Sequence, residues 1–289
     1  MSAFSEAIKS SKFVVTSEVG PPKGVDIEGM MQDAELLKGR VAAVNVTDQQ
    51  SSVMRLGSLA VCCLLLNRGI EPIFQMTCRD RNRIALQSDL LSAAMMGIEN
   101  VLCLTGDHVS LGDHPGAKPV FDLDSVSLLE TATKLQEGHD LAGNELKGSP
   151  KFFLGAVVTP GANPLEPQII KMEKKIKAGA RFFQTQAVYD IAEFKKFVSR
   201  VKHFKVPILA GIILLKSAGM ARFMNRNVAG VHVPDNLIEE IDQAENKRQK
   251  SVEIAARLIK EVEPLCQGVH IMPIGWEKLV PAVLDEAGL

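Results

Sequence analysis

Short apolar segments recur along the whole chain and alternate with longer segments of helical periodicity. Each short segment is apolar at nearly every position and rich in β-branched or aromatic residues, which is typical of a strand buried on both faces. The eight segments are residues 13–19, 41–47, 72–77, 100–106, 152–158, 181–186, 207–213 and 268–273. Strands that alternate with helices predict parallel pairing through right-handed crossovers.

The intervening segments carry apolar residues at helical spacing, and helices are predicted near 32–38, 89–97 and 168–178. Two predicted inward faces consist of Ile27, Met30, Met31, Ala34 and Leu37, and of Ile84, Leu86, Leu90 and Ala94. Glycines 39, 97 and 179 stand where these helices end, as is common at helix C-termini. The methionines Met30, Met31, Met95 and Met96 are predicted to be an adaptable part of the core.

Eight strand–helix units in 289 residues favour an α/β fold of one kind, a closed (β/α)8 or TIM barrel, over an open doubly wound sheet. No GxGxxG follows the first strand, so the usual sign of a dinucleotide-binding open sheet is missing. Nothing in the sequence marks a domain boundary, and residues 1–289 are predicted to form a single barrel domain. The segment 225–237 is predicted to be a loop.

The charge and cysteine content excludes several classes of function. A formal net charge of −1 gives no electrostatic footprint for nucleic acid or an anionic membrane, and no apolar run is long enough to span one. The N-terminus lacks the features of a signal peptide, and the five cysteines form no CxxC pair, so a reduced, cytoplasmic protein is expected. The acidic and histidine residues of 107–114 fit no standard metal motif, and no metal site is predicted.

Polar side chains end most of the predicted strands, where a barrel of this type has its site. In FVVTSEVGPPKG, residues 13–24, an apolar strand runs into Glu18 just before a Gly-Pro-Pro turn. Strand two ends near Thr47, strand three near Gln75, strand four near Asp107 and strand six at Gln186. This ring is rich in hydrogen-bonding groups and poor in cations, which favours a neutral, polar, ring-like ligand.

Five motifs in barrel order resemble one family, methylenetetrahydrofolate reductase of the short bacterial type. They are SEVGPP, NVT, MTC, LTGD and KKIKAGARFFQTQAVYD, and together they cover nearly the whole chain. The chain is most similar to the divergent form of anaerobes that use folate-based one-carbon metabolism. The resemblance implies a flavin, normally FAD, which passes a hydride to the methylene carbon of methylenetetrahydrofolate and so forms methyltetrahydrofolate.

The resemblance also implies roles for individual residues. Glu18 stands where the family has the general acid that protonates the departing nitrogen and opens the substrate ring. Asp107 matches an aspartate beside the flavin, and Gln186 matches a glutamine that binds the pterin through its amide donor and acceptor. The positions implied to contact the cofactor are Thr47, Gln75, Thr105, Gly106, Asp107, Phe121, Asn163 and Lys175.

The sequence departs from the family pattern in two places. GIILLKSAGMARFMNR, residues 211–226, lacks the usual proline and places Met224, with Phe223 beside it, where an aromatic residue stacks on the folate or the nicotinamide. Direct use of NADH is therefore in doubt. Gln75 and Asn163 replace frequent histidines and Thr105 replaces a frequent arginine, so the cofactor is FAD or, alternatively, FMN.

The sequence leaves alternatives open for partners and function. No cysteine motif could hold an iron–sulfur cluster, so electrons that do not come from a nicotinamide are expected from a partner subunit, of the iron–sulfur kind or similar. The family forms homo-oligomers, and an oligomer is expected. The competing functions are a flavin-free, pterin-binding methyltransferase barrel and a non-catalytic barrel subunit of a redox complex. Glu18 could also be a solvated strand end, Asp107 a helix cap, and Lys175 part of a solvated helix face.

Overall fold

The eight predicted strands are present and close into one barrel. A computed structural model of the chain describes residues 2–10 and 12–289. Its strands are β1 Val14–Val19, β2 Ala43–Val46, β3 Pro72–Thr77, β4 Asn100–Leu104, β5 Phe153–Val158, β6 Phe182–Ala187, β7 Ile208–Ile213 and β8 Gly268–Met272. Neighbours in sequence pair in parallel, and β8 pairs in parallel with β1. The predicted (β/α)8 TIM barrel is confirmed.

Helices precede the first strand and follow every strand. They are α1 Ala3–Lys9, α2 Glu28–Leu37, α3 Ser58–Asn67, α4 Arg83–Met95, α5 Ser125–Gln136, α6 Glu166–Lys177, α7 Ile191–Val201, α8 Ala218–Asn227, α9 Asp235–Gln243, α10 Lys247–Val262 and α11 Val280–Ala287. The predicted loop around 225–237 reduces to the short connection between α8 and α9. None of the described helices is both long and apolar enough to cross a membrane.

The inward face of α4 differs from the predicted one. Leu86, Leu90 and Ala93 are buried against the barrel, whereas Ile84 is 74% exposed and Met95 is 76% exposed. Ile84 lies two positions before Leu86, which places it roughly 200° around the helix and therefore on the outer side. The expectation that Met95 and Met96 pack in the core is wrong for the same reason, and both side chains lie at the outer end of α4.

The N-terminal end of the barrel is filled by apolar side chains. Phe4 from α1 contacts Phe182 and Phe153 edge to face, with ring centroids 5.1 and 5.7 Å apart, and the rings of Phe153 and Phe182 stack at 5.1 Å. Gly155 on β5 lies so close to this cluster that a Cβ there would be 2.1 Å from the ring of Phe182. The helix α1 therefore closes the bottom of the barrel as an apolar plug.

A belt of polar side chains lies above this plug. Asn45 and Gln184 exchange two side-chain hydrogen bonds, of 2.8 and 3.1 Å, and Gln184 also donates to Thr16 Oγ1 at 3.3 Å. Because β6 is a neighbour of neither β1 nor β2, these bonds must cross the barrel interior. The belt, made up of Thr16, Asn45, Gln184 and His270, is buried. The interior thus changes from apolar to polar along the barrel axis.

Candidate active site

The three residues central to the predicted chemistry lie at one end of the barrel. Glu18 is the fifth residue of β1, Gln186 is the fifth residue of β6, and Asp107 follows β4 by three residues. In a parallel barrel these positions share the C-terminal rim, where the sites of this fold are built. Strand alternation places Glu18 on the same interior face as Thr16, which belongs to the polar belt.

Glu18 is held inside the rim by the strands beside it. Its residue is 6% exposed, and its Oε2 lies 3.5 Å from Nε2 of His270 on the adjacent strand β8. A solvated strand end is therefore excluded for this carboxyl group.

A cavity of about 350 Å³ opens at the ends of β3, β4 and β5. It gathers five of the residues implied to contact the cofactor, namely Gln75, Thr105, Gly106, Asp107 and Lys175. Its volume is within the range of small-molecule sites. Thr47, Phe121 and Asn163 are not among the residues that line it. Phe121 instead stacks on His108 with ring centroids 6.2 Å apart, and Asn163 is exposed.

Lys175 reaches this cavity from α6. Only 5% of the residue is exposed, and its Nζ donates a 2.7 Å hydrogen bond to the backbone oxygen of Val157. Burial, with a smaller contribution from Lys171, lowers the pKa of Lys175 to about 8. The alternative of a solvated helix face does not apply to it. With Lys171, which also lines the cavity, it supplies positive charge suited to an anionic group.

Two details of the rim point to a ligand. Thr47 Oγ1 is buried and has no hydrogen-bond partner among the described residues. Buried hydroxyl groups are normally paired, so a partner from a bound molecule is the simplest explanation. Gly106 has φ +92°, and a Cβ there would be 3.0 Å from Cβ of Thr77, which keeps this position free of a side chain. Asp107, next to it, is exposed and makes no capping hydrogen bond within the described residues.

A buried ionic network beneath the rim was not anticipated. Asp48 is paired with Arg81 and accepts hydrogen bonds from Thr77 N and Oγ1 at 2.8 and 2.9 Å. Burial lowers the pKa of Arg81, but Asp48 and Asp89 outweigh it and hold that pKa above its ordinary value. The signal available in the sequence was RDRNR directly after strand three, because arginines there must find partners or solvent.

Arg79 connects three of the loops at the rim. It is 1% exposed, pairs in bidentate fashion with Asp80 at 2.7 and 2.9 Å, and donates to the backbone oxygens of Gln49 and Asp107 at 3.3 and 3.4 Å. Gln49 follows β2 and Asp107 follows β4, so the guanidinium joins both loops to the one after β3. A second cavity of about 340 Å³ is also lined by Arg79.

Asp113 joins the outer parts of the loops. It pairs with Lys23 in the loop after β1, and its Oδ1 accepts a 3.1 Å hydrogen bond from the backbone N–H of Met54 in the loop after β2. The hydrogen bond from Lys23 is the largest of the effects that hold the pKa of Asp113 well below its usual range. Gly112 packs so tightly that a Cβ would be 1.8 Å from the backbone oxygen of Ser52. These loops therefore form one packed layer over the β1–β4 side.

Backbone strain is concentrated on this rim. The non-glycine residues with positive φ include Gln49, Ser51, Ser52, Phe121 and Ile274, at 50°, 55°, 60°, 40° and 49°. All five lie in loops after strands β2, β4 and β8, and positive φ is costly above all for a β-branched residue such as Ile274. Strain of this kind is typical of functional sites.

The pterin-binding residues predicted on β6 and α8 are less closely grouped than the residues that line the 350 Å³ cavity. Gln186 lies at a shift in the register between β6 and β7, and irregularities of this kind often re-aim a side chain beside an active site. Met224 is 4% exposed and packs in the core, whereas Phe223 is 61% exposed. Of these two, only Phe223 is available to a ligand, and its role in binding stays a prediction. Within residues 2–10 and 12–289, no group of three or more potential metal ligands is found.

The comparisons with known proteins identify the family of the chain. The sequence model for methylenetetrahydrofolate reductase matches residues 3–288. Methylenetetrahydrofolate reductase 2 of Schizosaccharomyces pombe is 24% identical over 234 residues, which are 76% of this chain and 36% of that protein. The probable methylenetetrahydrofolate reductase (NADPH) of Caenorhabditis elegans is 22% identical over 235 residues, with 76% and 33% covered. The chain spans about a third of the length of these curated relatives.

Solved structures show the same fold. An uncharacterized protein from Clostridium thermocellum that binds two copies of 5-methyl-5,6,7,8-tetrahydrofolic acid superposes with a TM-score of 0.67 at 16% identity, covering 98% of this chain and 97% of that one. A 2,3-dimethylmalate lyase superposes with a TM-score of 0.55 at 11% identity, covering 100% and 87%. The match over residues 3–288 settles the family: the chain belongs to the methylenetetrahydrofolate reductases.

Proposed function

We propose that the chain reduces 5,10-methylenetetrahydrofolate to 5-methyltetrahydrofolate with the help of a bound flavin. The observation that carries the proposal is the position of Glu18. Glu18 is 6% exposed and lies at the same end of the barrel as a 350 Å³ cavity, which is lined by five of the eight residues implied to contact the cofactor; Glu18 itself does not line this cavity. The family and the names of its curated relatives support the reaction.

The residues present fit a flavin. Thr47 Oγ1 offers an unpaired buried hydroxyl, and Gln75 adds an amide that can both donate and accept. The buried ammonium of Lys175, with Lys171, suits the phosphate that FAD and FMN share. Asp107, which lines the cavity, is proposed to favour positive charge on a substrate bound there. Phe121 and Asn163 complete the proposed set. When bound, the flavin supplies the hydride that reduces the methylene carbon.

Glu18 performs the proton transfer that the folate half of the reaction requires. The five-membered ring of the substrate opens when the bond between the methylene carbon and the departing nitrogen breaks. A proton from Glu18 on that nitrogen takes up its electron pair and leaves a cationic iminium for reduction. General acid catalysis of this kind contributes roughly 10²–10⁴-fold. Gln186 supplies the donor and acceptor that orient the pterin.

The electron donor is proposed to be a partner subunit, of the iron–sulfur kind or similar. On α8, the position implied to carry a stacking aromatic holds Met224, which is buried in the core. The exposed Phe223 is one position away, so the surface offered to a nicotinamide differs from the one the resemblance implies. Rapid oxidation of NADH or NADPH by the isolated chain would contradict this part of the proposal.

Anaerobic stopped-flow spectroscopy tests the main proposal. The purified protein is expected to bind flavin, and the dithionite-reduced protein is expected to be reoxidised by methylenetetrahydrofolate. Glu18→Gln should leave flavin reduction intact and abolish reoxidation by folate, because only that half-reaction needs the proton. Glu239→Gln, on the exposed surface of α9, is the matched control and should behave as the wild type. A reduced wild-type protein that folate cannot reoxidise would refute the proposal.

A second function is favoured by one observation, the two methyltetrahydrofolate molecules bound by the structural relative from Clostridium thermocellum. A barrel of this shape that took a second pterin in place of the flavin could serve methyl transfer. Colourless protein that binds two equivalents of methyltetrahydrofolate in calorimetry would support this alternative. Yellow protein that binds one equivalent would support the reductase.

A further inference from the structure

The outer face of α4 exposes an apolar stripe that the barrel does not cover. Ile84 is 74% exposed, Leu91 36% and Met95 76%, and these three residues are called the α4 stripe below. With about 3.6 residues per turn, their positions fall within roughly 40° of one another and form one line along the helix. No other helix among the described residues exposes more than one large apolar side chain. Apolar side chains that are grouped in this way mark an interaction surface.

Two grooves lie end to end beside the α4 stripe. One has a volume of about 610 Å³, and Ile84, Leu91, Leu141 and Leu146 are among the residues that line it. The other has a volume of about 520 Å³, and Leu91, Met95 and Leu146 are among its lining residues. Because Leu91 and Leu146 line both grooves, they lie at the middle of this face.

The grooves are completed by the segment 138–151, which the chain itself holds in place. His139 and Glu145 pair there as an antiparallel bridge. The backbone N–H of Leu141 donates a 2.8 Å hydrogen bond to Oε1 of Gln87, which ties the segment to α4. A surface that is ordered before association loses little conformational freedom when a partner binds.

The two grooves carry opposite net charges. The charged residues that line the 610 Å³ groove are Arg83 and Asp140. Arg83 is neutralised by Asp122, through hydrogen bonds of 2.8 and 2.9 Å, so Asp140 leaves this groove acidic. The charged residues that line the 520 Å³ groove are Lys147, Lys151 and Glu99. Two lysines against one glutamate leave this groove basic.

A face with these properties is complementary to an identical copy of itself. A two-fold axis that crosses α4 at Leu91 and runs towards Leu146 brings the α4 stripe of one copy against that of the other. The same rotation exchanges the two ends of the face, so the acidic groove of each copy meets the basic groove of the other. An electron-donating partner fits this face less well, because no residue of the α4 stripe lines the 350 Å³ cavity proposed for the flavin.

We propose that two copies of the chain associate through this face, with their α4 helices antiparallel. Asp140 of one protomer then lies against Lys147 and Lys151 of its partner, and this contact occurs twice in the dimer. Because α4 begins beside the C-terminal rim, the antiparallel arrangement leaves the two candidate active sites open at opposite ends. The inference goes beyond the proposed function and does not depend on it.

The size of the face sets the expected strength of the association. The 13 residues of α4 extend over about 20 Å, which places the contact at the low end of specific interfaces. The dissociation constant is therefore expected to be roughly micromolar.

The first test is analytical ultracentrifugation of the full chain over a series of protein concentrations. The average mass should rise reversibly from that of one chain towards that of two. Leu91→Lys brings two positive charges together at the axis and should raise the dissociation constant at least about ten-fold. Ile170→Lys, on a 54% exposed side chain of α6, is the matched control and should associate as the wild type does. A wild-type chain that is still monomeric at about 1 mM, or a dimer that Leu91→Lys leaves unchanged, would overturn the proposal.

The second test exchanges charges to examine the antiparallel arrangement. The double variant Lys147→Glu, Lys151→Glu should dimerise poorly, because its new carboxylates meet Asp140 of the partner. Asp140→Lys should also dimerise poorly, because its new ammonium meets the two lysines. When the two variants are mixed, both contacts again pair opposite charges, so a heterodimer should form. A mixture that stays monomeric, although each variant is folded, would contradict the arrangement.

A third measurement needs no variant. Amide hydrogen exchange in residues 84–95 and 140–151 of the wild type should slow as the protein concentration rises through the dissociation constant, whereas exchange in α6 should not change. Protection that appears on another face instead would overturn the proposal. Thermal unfolding at concentrations far below the dissociation constant, where the chain is monomeric, shows whether each variant is folded, and Leu91→Lys should unfold there as the wild type does. Failure of flavin binding or of folate reduction would refute the proposed function and leave the dimer unaffected.

Discussion

The two ends of the barrel interior are built from the same strands but differ in character: the N-terminal end is apolar and the C-terminal end carries polar side chains. At the N-terminal end, β1, β2 and β6 contribute Val14, Ala43 and Phe182, all buried in one apolar cluster with Phe4. At the C-terminal end the same three strands contribute Glu18, Thr47 and Gln186. The two-residue period of a strand makes this possible, since each strand sends alternate side chains inward at successive depths. The apolar packing and the residues of the proposed chemistry are therefore separated along the barrel axis.

The largest loss of stability is expected from a change in the apolar plug at the N-terminal end of the barrel. Phe182→Ala should lower the free energy of unfolding by about 3–5 kcal/mol, because it leaves a cavity between Phe4 and Phe153. The folded fraction should still bind flavin as the wild type does. Phe223→Ala is the matched change on a 61% exposed side chain and should alter stability by less than about 0.5 kcal/mol. Urea unfolding measures the stability of both variants. Equal losses would contradict the view that the N-terminal plug is the part of the barrel that stabilises the fold.

Lys175→Met, at the C-terminal rim, should raise the free energy of unfolding, whereas Phe182→Ala lowers it. Its pKa of about 8 in the fold is below the ordinary value, so burial of the charge destabilises the fold by about 3 kcal/mol below pH 8. The loss of the bond to Val157 O offsets about 1 kcal/mol of this. The ligand-free variant is therefore expected to be about 2 kcal/mol more stable at pH 7 and to bind flavin more weakly.

The pH dependence of the stability difference tests whether burial of the Lys175 charge causes it. As pH rises from 8 to 10.5, the folded protein has lost the proton of Lys175 while the unfolded chain keeps it, so the wild type regains stability and the difference from the variant shrinks. Urea unfolding at pH 7 and 9.5 measures this change. Lys174→Met, on the exposed side of α6, is the control and should show no such dependence. A constant difference between wild type and Lys175→Met would contradict the assignment.

A smaller effect is expected in the belt between the two ends. A double-mutant cycle with Asn45→Ala and Gln184→Ala should give a coupling energy of about 1–2 kcal/mol, because each single change leaves its partner's buried amide unpaired. The single changes should also disturb the rim, since Gln184 supports Thr16. Additive losses in chemical denaturation would show that the two amides are stabilised independently.

The smallest effect is expected outside the barrel. Met95 is 76% exposed on α4, so Met95→Ala should change the unfolding free energy by less than about 0.5 kcal/mol. Met76→Ala, at a fully buried position on β3, is the contrasting change and should cost about 2–5 kcal/mol. A large loss from Met95→Ala in thermal unfolding would mean that this surface is covered in solution.

The strands were predictable because burial on both faces leaves a simple signal, and each lies within two residues of its predicted bounds. The rim position of Glu18 followed from the same signal. Lys175 was not predictable from its charged surroundings, because its burial depends on how α6 packs beside β5. Arg81 pairs with Asp48, which follows β2, and His270 contacts Thr16 and Glu18 on β1. These partners are far away in the sequence, and the sequence alone does not give the strand register that brings them together. Exposed Ile84 shows that the first turn of a helix is the least reliable part of an apolar pattern.

The contacts of Asp113 have a consequence for how a large ligand enters and leaves the C-terminal end of the barrel. Asp113 contacts the loops that follow β1, β2 and β4, and Arg79 also joins the last two of these loops, so the three loops are expected to move together. Release of a bulky ligand past them then requires a concerted opening, to which the partly hydrated pair of Lys23 and Asp113 contributes. Added salt weakens such a pair, so the exchange rate of a large ligand is expected to rise with ionic strength while the barrel itself stays unchanged.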